Sequence, residues 1–303
     1  MPRDARLRLR YLGQTVRLLY PRPVTPRAYS LLPHAVLPRR LAPRRWWHGL
    51  LGRKIMLGVE GSVESHLSEV FGSPIRAVLH VRPARRGNRK PILEAHDAAG
   101  LVAFVKIGDT DRARELVTAE AATLRKLADL PLKTVVPPAV LHHGVWDDLA
   151  VLALSPLPVR RRARVPAALL TDAISEIAAT GGRDGHAWHG DLAPWNMSAS
   201  ADGRLLVWDW ERYETGVPLG FDALHHLFQR LLRRMDPPLA ARACLSQALP
   251  ALAPLGLSAA QARTTALHYL IAMADRHASD GHEPLGPARH WLNPLVDHQE
   301  LLA

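Results

Sequence analysis

The sequence predicts an α+β protein in two parts, a small antiparallel sheet with one helix and then a mainly helical part, preceded by a basic N-terminal extension. Three observations predict this class. Short apolar or alternating runs recur between residues 75 and 154, which is typical of strands. Longer segments with apolar residues at helical spacing follow residue 159, as in amphipathic helices. The first 56 residues are instead rich in Arg and Pro.

Residues 1–56 are the predicted N-terminal extension, an extended arm with one or two short helices. The net charge of +11 originates here, because residues 1–54 contain 13 Arg and Lys residues against one acidic residue, while the other 26 basic and 27 acidic residues balance. The balanced body makes nucleic acid an unfavoured partner. The arm, with Trp46 and Trp47, is expected to bind an anionic membrane surface or an acidic partner. The alternative is a solvated tail or one that packs on the body.

Residues 57–154 are the predicted sheet part. A turn at Asp97–Gly100 joins two of its strands, and a helix over 110–130 interrupts the series. The expected strands are 75–82, 90–97 and 101–108 before the helix, and two more within 133–146 and 149–158 after it.

Residues 155–303 are the predicted helical part. The expected helices are 166–182, 221–235 and 258–278. Between the first and second of these lies the segment HGDLAPWN (189–196), and Asp202-Gly203 then marks a tight turn between two short strands. The second strand is apolar and ends at Asp209.

This hairpin is expected to fold Asp209 back toward Asp191 and Asn196. Mg²⁺ prefers oxygen ligands, usually one or two carboxylates together with substrate phosphates. Asn196 and Asp209 are therefore the predicted magnesium ligands, and Asp191 remains available for a substrate.

The same residues carry a resemblance to a known family. His189-Gly190-Asp191, then Asn196, then an apolar strand ending in Asp209-Trp210, resembles the aminoglycoside phosphotransferase/choline kinase family, a small-molecule branch of the protein-kinase-like fold. The resemblance covers roughly residues 60–280, and Asp222 in PLGFDALHH matches the family's buried Asp. It implies an ATP- and Mg²⁺-dependent phosphotransferase whose 57–154 lobe binds the nucleotide.

The resemblance also implies roles for single residues. Asp191 would orient the acceptor hydroxyl and take its proton, while Asn196 and Asp209 hold Mg²⁺. Lys106, on the third strand, and Glu120, in the following helix, match the family's pair that positions the α- and β-phosphates. The alternative for that pair is a surface salt bridge, which stabilises little.

The turn PARRGNRK (83–90) departs from the family, since it has one glycine and four basic residues. We expect Arg89 to bind a phosphate or an anionic substrate. The alternative is that it lies at a solvated hairpin tip. His189 is expected to pack under the metal-binding strand. His186 and His189 as zinc ligands are a weaker alternative. Glu211 either meets substrate or metal or pairs with Arg212.

The acceptor stays open between a sugar, an amino alcohol, an aminoglycoside-like compound and a lipid-linked sugar. A non-catalytic pseudokinase that uses its basic arm for recruitment is the alternative function, and a protein kinase is a third. A single cysteine, Cys244, excludes an internal disulfide framework. The sequence has neither a long apolar run nor the apolar core of a signal peptide. We therefore expect a cytoplasmic protein, peripheral to the membrane if the arm binds lipid.

Overall fold

The computed structural model describes residues 3–33, 37–82, 89–159, 164–281, 285–293 and 295. The chain divides into two compact units. Unit 1 comprises Met1–Thr118 and Val140–Pro156, and unit 2 comprises Ala119–Ala139 and Leu157–Ala303. No helix in the described ranges combines the length and the apolar character that crossing a membrane requires.

The strands and helices have the following bounds. The strands are β1 (Pro26–Leu32), β2 (Arg40–Pro43), β3 (Arg53–Gly58), β4 (Arg76–His80), β5 (Ile92–His96), β6 (Leu101–Gly108), β7 (Val135–Val136), β8 (Val140–Trp146), β9 (Leu149–Leu154), β10 (His186–Trp188), β11 (Met197–Ala199), β12 (Leu205–Val207) and β13 (Glu214–Val217). The helices are α1 (Arg3–Leu19), α2 (Val63–Phe71), α3 (Asp111–Ala128), α4 (Ala167–Ala179), α5 (Phe221–Leu232), α6 (Pro237–Ser246), α7 (Ala248–Leu252) and α8 (Ala259–Ser279).

Unit 1 is built on one antiparallel sheet of eight strands in the order β3-β1-β2-β4-β5-β6-β9-β8. The predicted succession of three strands, a helix and two strands is confirmed by β4, β5, β6, α3, β8 and β9. The Asp97 carboxylate accepts the N–H groups of Ala99 (2.7 Å) and Gly100 (3.0 Å), which closes the β5–β6 turn. The sheet part is larger than expected because it also holds α1, α2 and three further strands.

The first 56 residues are not an extended arm, and that part of the prediction is wrong. They form α1, β1, β2 and most of β3, and β2 pairs with β4 so that these strands extend the sheet. Tyr29, Leu31 and Leu41 are buried in the same core as Leu93 and Val105. Arg and Pro at exposed positions between these apolar residues concealed the strand pattern in the sequence.

A buried carboxylate in α2 connects this N-terminal segment to the rest of unit 1. Glu64 Oε1 accepts the hydroxyl of Tyr29 (2.5 Å) and the N–H of Ala77 (2.7 Å), and Oε2 accepts Arg27 Nη1 (3.0 Å). These partners lie on β1 and β4. Burial raises the pKa of Glu64, while these hydrogen bonds and Arg27 oppose that shift.

Unit 2 contains the second part of α3, helices α4–α8 and two small sheets. One sheet pairs β10 with β13, and the other has the order β11-β12-β7. Its core holds five large aromatic side chains, namely Trp188, Phe221, Phe228, Tyr269 and Trp291. The predicted helices are confirmed as α4, α5 and α8, whereas α6 and α7 were not anticipated. The small sheets and α5 fix the segment 189–196.

Candidate active site

Asp222, at the start of α5, anchors the turn that precedes Asp191. Its carboxylate oxygens accept the N–H groups of His189 (2.7 Å) and Gly190 (3.3 Å). Burial raises the pKa of Asp222 to about 7, and the two N–H donors and Arg276 oppose that shift. The carboxyl group therefore fixes the backbone of the His-Gly-Asp turn from inside the protein.

Gly190 is required for the shape of this turn. Its φ of 81° lies in the left-handed region, and a Cβ atom there would come within 2.1 Å of the Arg212 carbonyl oxygen. Arg276 donates to the Gly190 carbonyl. Glycine is the residue type that adopts this backbone without steric cost.

His189 is fully buried and packs its ring 4.5 Å from that of Trp210. Its Nδ1 accepts the N–H of Asp191 at 3.1 Å. Burial lowers the pKa of His189 to about 4, so the ring is neutral near pH 7. These contacts give His189 a packing role. Neither His189 nor His186 belongs to the cluster of metal-binding side chains found among the described residues.

Asp191 is held from two sides while part of its carboxylate stays accessible. Its side chain is 35% exposed. Oδ2 accepts Asn196 Nδ2 at 2.9 Å, and Oδ1 lies 2.9 Å from His225 Nε2. A carboxylate that is fixed in direction and open to solvent can accept a proton from a substrate hydroxyl.

His225 continues into a buried chain of polar groups. It is 1% exposed, and its Nδ1 lies 3.1 Å from the hydroxyl of Tyr269 on α8. Because an ionised carboxylate only accepts hydrogen bonds, the matching tautomer has Nε2–H donating to Asp191 and Nδ1 accepting from Tyr269. The sequence analysis assigns no role to His225. The signal for it was a polar side chain on the apolar side of an amphipathic helix.

Asn196 and Asp209 are brought close by the β11–β12 hairpin, as predicted from the Asp202-Gly203 turn. The ladder pairs Met197 with Val207, and Trp208 N–H donates to the Asn196 carbonyl at 3.1 Å. Asn196 uses its Nδ2 on Asp191, which leaves Oδ1 as its ligand atom. Asp209 has φ 76°, a conformation that costs a non-glycine residue about 1–3 kcal/mol and that is concentrated at functional sites.

Glu120, Asp209 and Glu211 form a cluster in which one ligand oxygen of each lies within 4.8 Å of the others. Glu120 is fully buried and accepts the N–H of Trp210 at 3.2 Å. Three carboxylates at this spacing repel one another unless a cation or protons compensate. This donor set fits a hard cation such as Mg²⁺. Arg212, the alternative partner of Glu211, pairs with Asp280.

The remaining predicted site residues lie in unit 1. Lys106 is 8% exposed on β6, opposite Ile92 and Leu152. Glu120, its predicted partner, belongs to unit 2.

Arg89 packs against α1. Its guanidinium lies 4.9 Å from the centre of the Tyr11 ring, and Nη2 is 3.4 Å from Gln14 Oε1. Residues 83–88 of the predicted phosphate turn lie outside the described residues. The phosphate roles of Lys106 and Arg89 stay predictions.

Neither a protein-family model nor a curated protein sequence matches the chain. Among solved structures it is similar to a protein provisionally identified as a fructosamine-3-kinase from Haemophilus somnus 129PT, at 15% identity over 73% of this chain and 92% of that one, with a TM-score of 0.46. It is also similar to the bifunctional kinase-methyltransferase WbdD, at 17% identity over 59% of this chain and 42% of that one, with a TM-score of 0.33.

A third likeness is to the PknI kinase domain of Mycobacterium tuberculosis, at 14% identity over 60% of this chain and 90% of that one, with a TM-score of 0.34. At these identities and TM-scores the likenesses assign no family, substrate or residue role. The candidate site therefore depends on its own geometry.

Proposed function

We propose that this protein is an ATP-dependent phosphotransferase that moves the γ-phosphate to a hydroxyl group of a small molecule. One observation carries the proposal. Asn196 joins an accessible, fixed carboxylate at Asp191 to the hairpin that holds the carboxylate cluster around Asp209. A proton acceptor beside a cation site is the arrangement that phosphoryl transfer requires.

In the proposed mechanism, Asp191 orients the acceptor hydroxyl and accepts its proton. The hydroxyl oxygen forms a bond to the γ-phosphorus as the bond to the β–γ bridging oxygen breaks, and ADP leaves. The side chains of Asn196, Asp209 and Glu211 would hold Mg²⁺, which neutralises phosphate charge when bound. Glu120 supports this turn through Trp210 N–H. Lys106 is proposed, from the family resemblance, to contact the nucleotide phosphates.

Nucleotide binding is the first test. Thermal unfolding of the full chain is measured with Mg-ATP, with Mg-GTP and without nucleotide. A ligand at 100 times its dissociation constant stabilises a protein by about 2.7 kcal/mol. We expect a magnesium-dependent rise in Tm that Asp209→Ala abolishes and Asp172→Asn retains, because Asp172 is an exposed carboxylate on α4. A wild-type protein that Mg-ATP does not stabilise would refute the proposal.

Turnover is the second test. ADP release is followed with a panel of sugars, amino alcohols and aminoglycosides as acceptors. We expect Asp191→Asn to retain the Mg-ATP shift and to lose turnover. Stabilisation by Mg-ATP without turnover on any acceptor would favour the pseudokinase alternative.

We further propose that unit 1 binds an anionic membrane surface through an aromatic-basic patch formed by the β2–β3 connection and by β3. Its apolar members are Trp46, Trp47, Leu50, Leu51 and Met56, and its basic members are Arg45, Arg53 and Lys54. Trp46 is 93% exposed and Leu50 is 94% exposed. Exposed Trp and Leu beside basic residues fit the headgroup region of anionic lipid, where each cation contributes about 1 kcal/mol.

Vesicle sedimentation tests the patch. We expect the full chain to pellet with vesicles that contain phosphatidylglycerol and to remain in solution with phosphatidylcholine alone. Trp46→Ala combined with Leu50→Ala should reduce pelleting, whereas Val145→Ala, at an exposed apolar residue on β8, should not. Equal pelleting of the patch variant and the wild type would contradict the proposal.

A further inference from the structure

Unit 2 contains a cavity of about 620 Å³ beside the segment that carries Asp191. Its lining includes Pro194, Met197, His226, Arg230, Arg233 and Arg234. His226 and Arg230, four residues apart, lie on one face of α5. Arg233 is the C-cap of the helix and Arg234 follows it.

Two segments carry both lining residues of this cavity and residues that contact the proposed base. In the loop, Pro194 lies two residues before and Met197 one residue after Asn196, whose amide donates to the Asp191 carboxylate. On α5, the residue next to His226 is His225, which contacts the other oxygen of Asp191. The loop that carries Asp191 and helix α5 therefore both contribute to the cavity lining and to the contacts of Asp191.

Three arginines give the described lining of the cavity a positive charge. No acidic side chain in the described ranges forms an ion pair with Arg230, Arg233 or Arg234. Arg233 stacks over the Trp195 ring at 5.8 Å. All three arginines are solvent-exposed, so their guanidinium groups are accessible to an anion from solution.

His226 provides a further polar group at the cavity wall. Its Nδ1 is buried and has no hydrogen-bond partner among the residues that the structure describes. Burial, and then Arg230, lower the pKa of His226 to about 4, so that the ring is neutral near pH 7. The backbone of Leu192 opposes that shift, so the one N–H of the neutral ring is directed at that carbonyl and the arginines provide the donors of the cavity.

We propose that this arginine cavity binds a phosphate group of the acceptor, so that the substrate is a hydroxylated sugar that already carries a phosphate monoester. This inference rests on the proposed phosphotransferase function. Guanidinium groups bind phosphate through paired, charge-assisted hydrogen bonds. Three of them match the charge of a phosphate monoester better than that of a single carboxylate. The phosphate in the cavity is not altered by the reaction and serves to hold the acceptor.

The catalytic test compares acceptor pairs that differ only by a phosphate, such as glucose and glucose 6-phosphate, together with the carboxylated glucuronic acid. We expect ADP release with phosphorylated members. Arg230→Gln with Arg234→Gln should raise KM for them by about tenfold or more, with the Mg-ATP shift in Tm unchanged. Arg263→Gln, an exposed arginine of α8, should have no effect. Equal use of both members of each pair, or preference for the carboxylate, would overturn the inference.

A binding test separates this inference from the proposed function. Without nucleotide, inorganic phosphate and glucose 6-phosphate are titrated against the full chain, with sodium chloride at matched ionic strength as the control. We expect both to raise the Tm of the wild type and of Arg263→Gln, and not that of the double variant. The result is decisive even if Mg-ATP does not bind. A wild type that neither compound stabilises, or a double variant stabilised as much as the wild type, would overturn the inference.

Discussion

At the level of single residues, two side chains fix the direction of the Asp191 carboxylate. Asn196 comes from the same loop, whereas His225 comes from α5 and is itself fixed by Tyr269. All three distances are about 3 Å, which is hydrogen-bonding distance. A change in His225 should therefore alter the direction of the Asp191 carboxylate without changing the residues proposed to contact the nucleotide.

We predict that His225→Gln lowers the rate of ADP release by about tenfold or more, as observed for residues that orient a functional ligand. KM for Mg-ATP should stay unchanged. Tyr269→Phe, which removes only the hydroxyl, should cause a smaller loss. Steady-state kinetics together with Tm measures both effects. A fall in Tm with unchanged turnover would show that His225 has only a packing role.

Two glycines with nearly the same backbone allow a matched comparison. Gly190 and Gly203 have φ values of 81° and 83°, but a Cβ atom would be 2.1 Å from a carbonyl oxygen at Gly190 and would meet nothing within 4 Å at Gly203. Left-handed backbone alone costs an alanine about 1–2 kcal/mol. Gly203→Ala should cost about that much in unfolding free energy, and Gly190→Ala clearly more. Equal losses in urea denaturation would contradict this account.

At the level of elements, Glu64 connects α2 to β1 and β4 through three hydrogen bonds. Removal of one partner from a buried, charged network leaves the others unsatisfied, which typically costs about 3–5 kcal/mol. We predict a loss of that size in the unfolding free energy of Glu64→Ala. Glu60→Ala, at an exposed carboxylate that accepts Thr25, should stay within about 0.5 kcal/mol of wild type. Similar losses in both variants would exclude this role of Glu64.

Glu94 on β5 bonds to residues of neighbouring strands, and it makes the stability of unit 1 depend on pH in the acidic range. Hydrogen bonds from His80 and then from His96, together with Arg40, lower its pKa from 4.5 to about 2. A carboxyl group whose pKa is lowered in the folded state binds fewer protons there than in the unfolded chain. Its stabilisation is therefore present above pH 4.5 and is lost as the pH falls toward 2.

We predict that the Tm of Glu94→Gln depends less on pH than that of the wild type between pH 4.5 and pH 2. Glu115→Gln on α3 is the matched control, since the side chain of Glu115 is 63% exposed. It should follow the wild-type curve. Parallel curves for all three proteins would contradict the assignment.

The elements that the sequence predicted are those whose apolar period is unbroken. Apolar and polar residues alternate in β5 and β6 around a clear turn, and α5 has a continuous apolar face. The local sequence pattern was therefore sufficient to predict these three elements. In β1–β3 the period is interrupted by Arg and Pro, and these segments become strands by pairing with one another and, through β2, with β4. The same distinction holds in the site. Asp191, Asn196 and Asp209 are joined by one hairpin, whereas the contacts of Glu120 and His225 depend on tertiary packing.

At the level of the whole molecule, the strong positive charge belongs to folded structure. The 13 basic residues among residues 1–54 are mostly carried by α1 and by strands of the unit 1 sheet. Their charge is therefore fixed on the surface of unit 1 and is not spread over a solvated tail. The aromatic-basic patch therefore has cationic side chains at fixed positions near it. Their charge strengthens the attraction of the patch to an anionic surface.

We predict that deletion of residues 1–56 prevents unit 1 from folding. Tyr29, Leu31 and Leu41 leave the core, and β4 loses its partner β2. A newly exposed strand edge and apolar face favour aggregation. The truncated chain should therefore be insoluble or should lack a cooperative transition by circular dichroism. The Trp46→Ala, Leu50→Ala chain, which changes only exposed side chains, should unfold as wild type does. A soluble truncated chain with the wild-type Tm would mean that residues 1–56 are dispensable for the fold, as a separate arm would be.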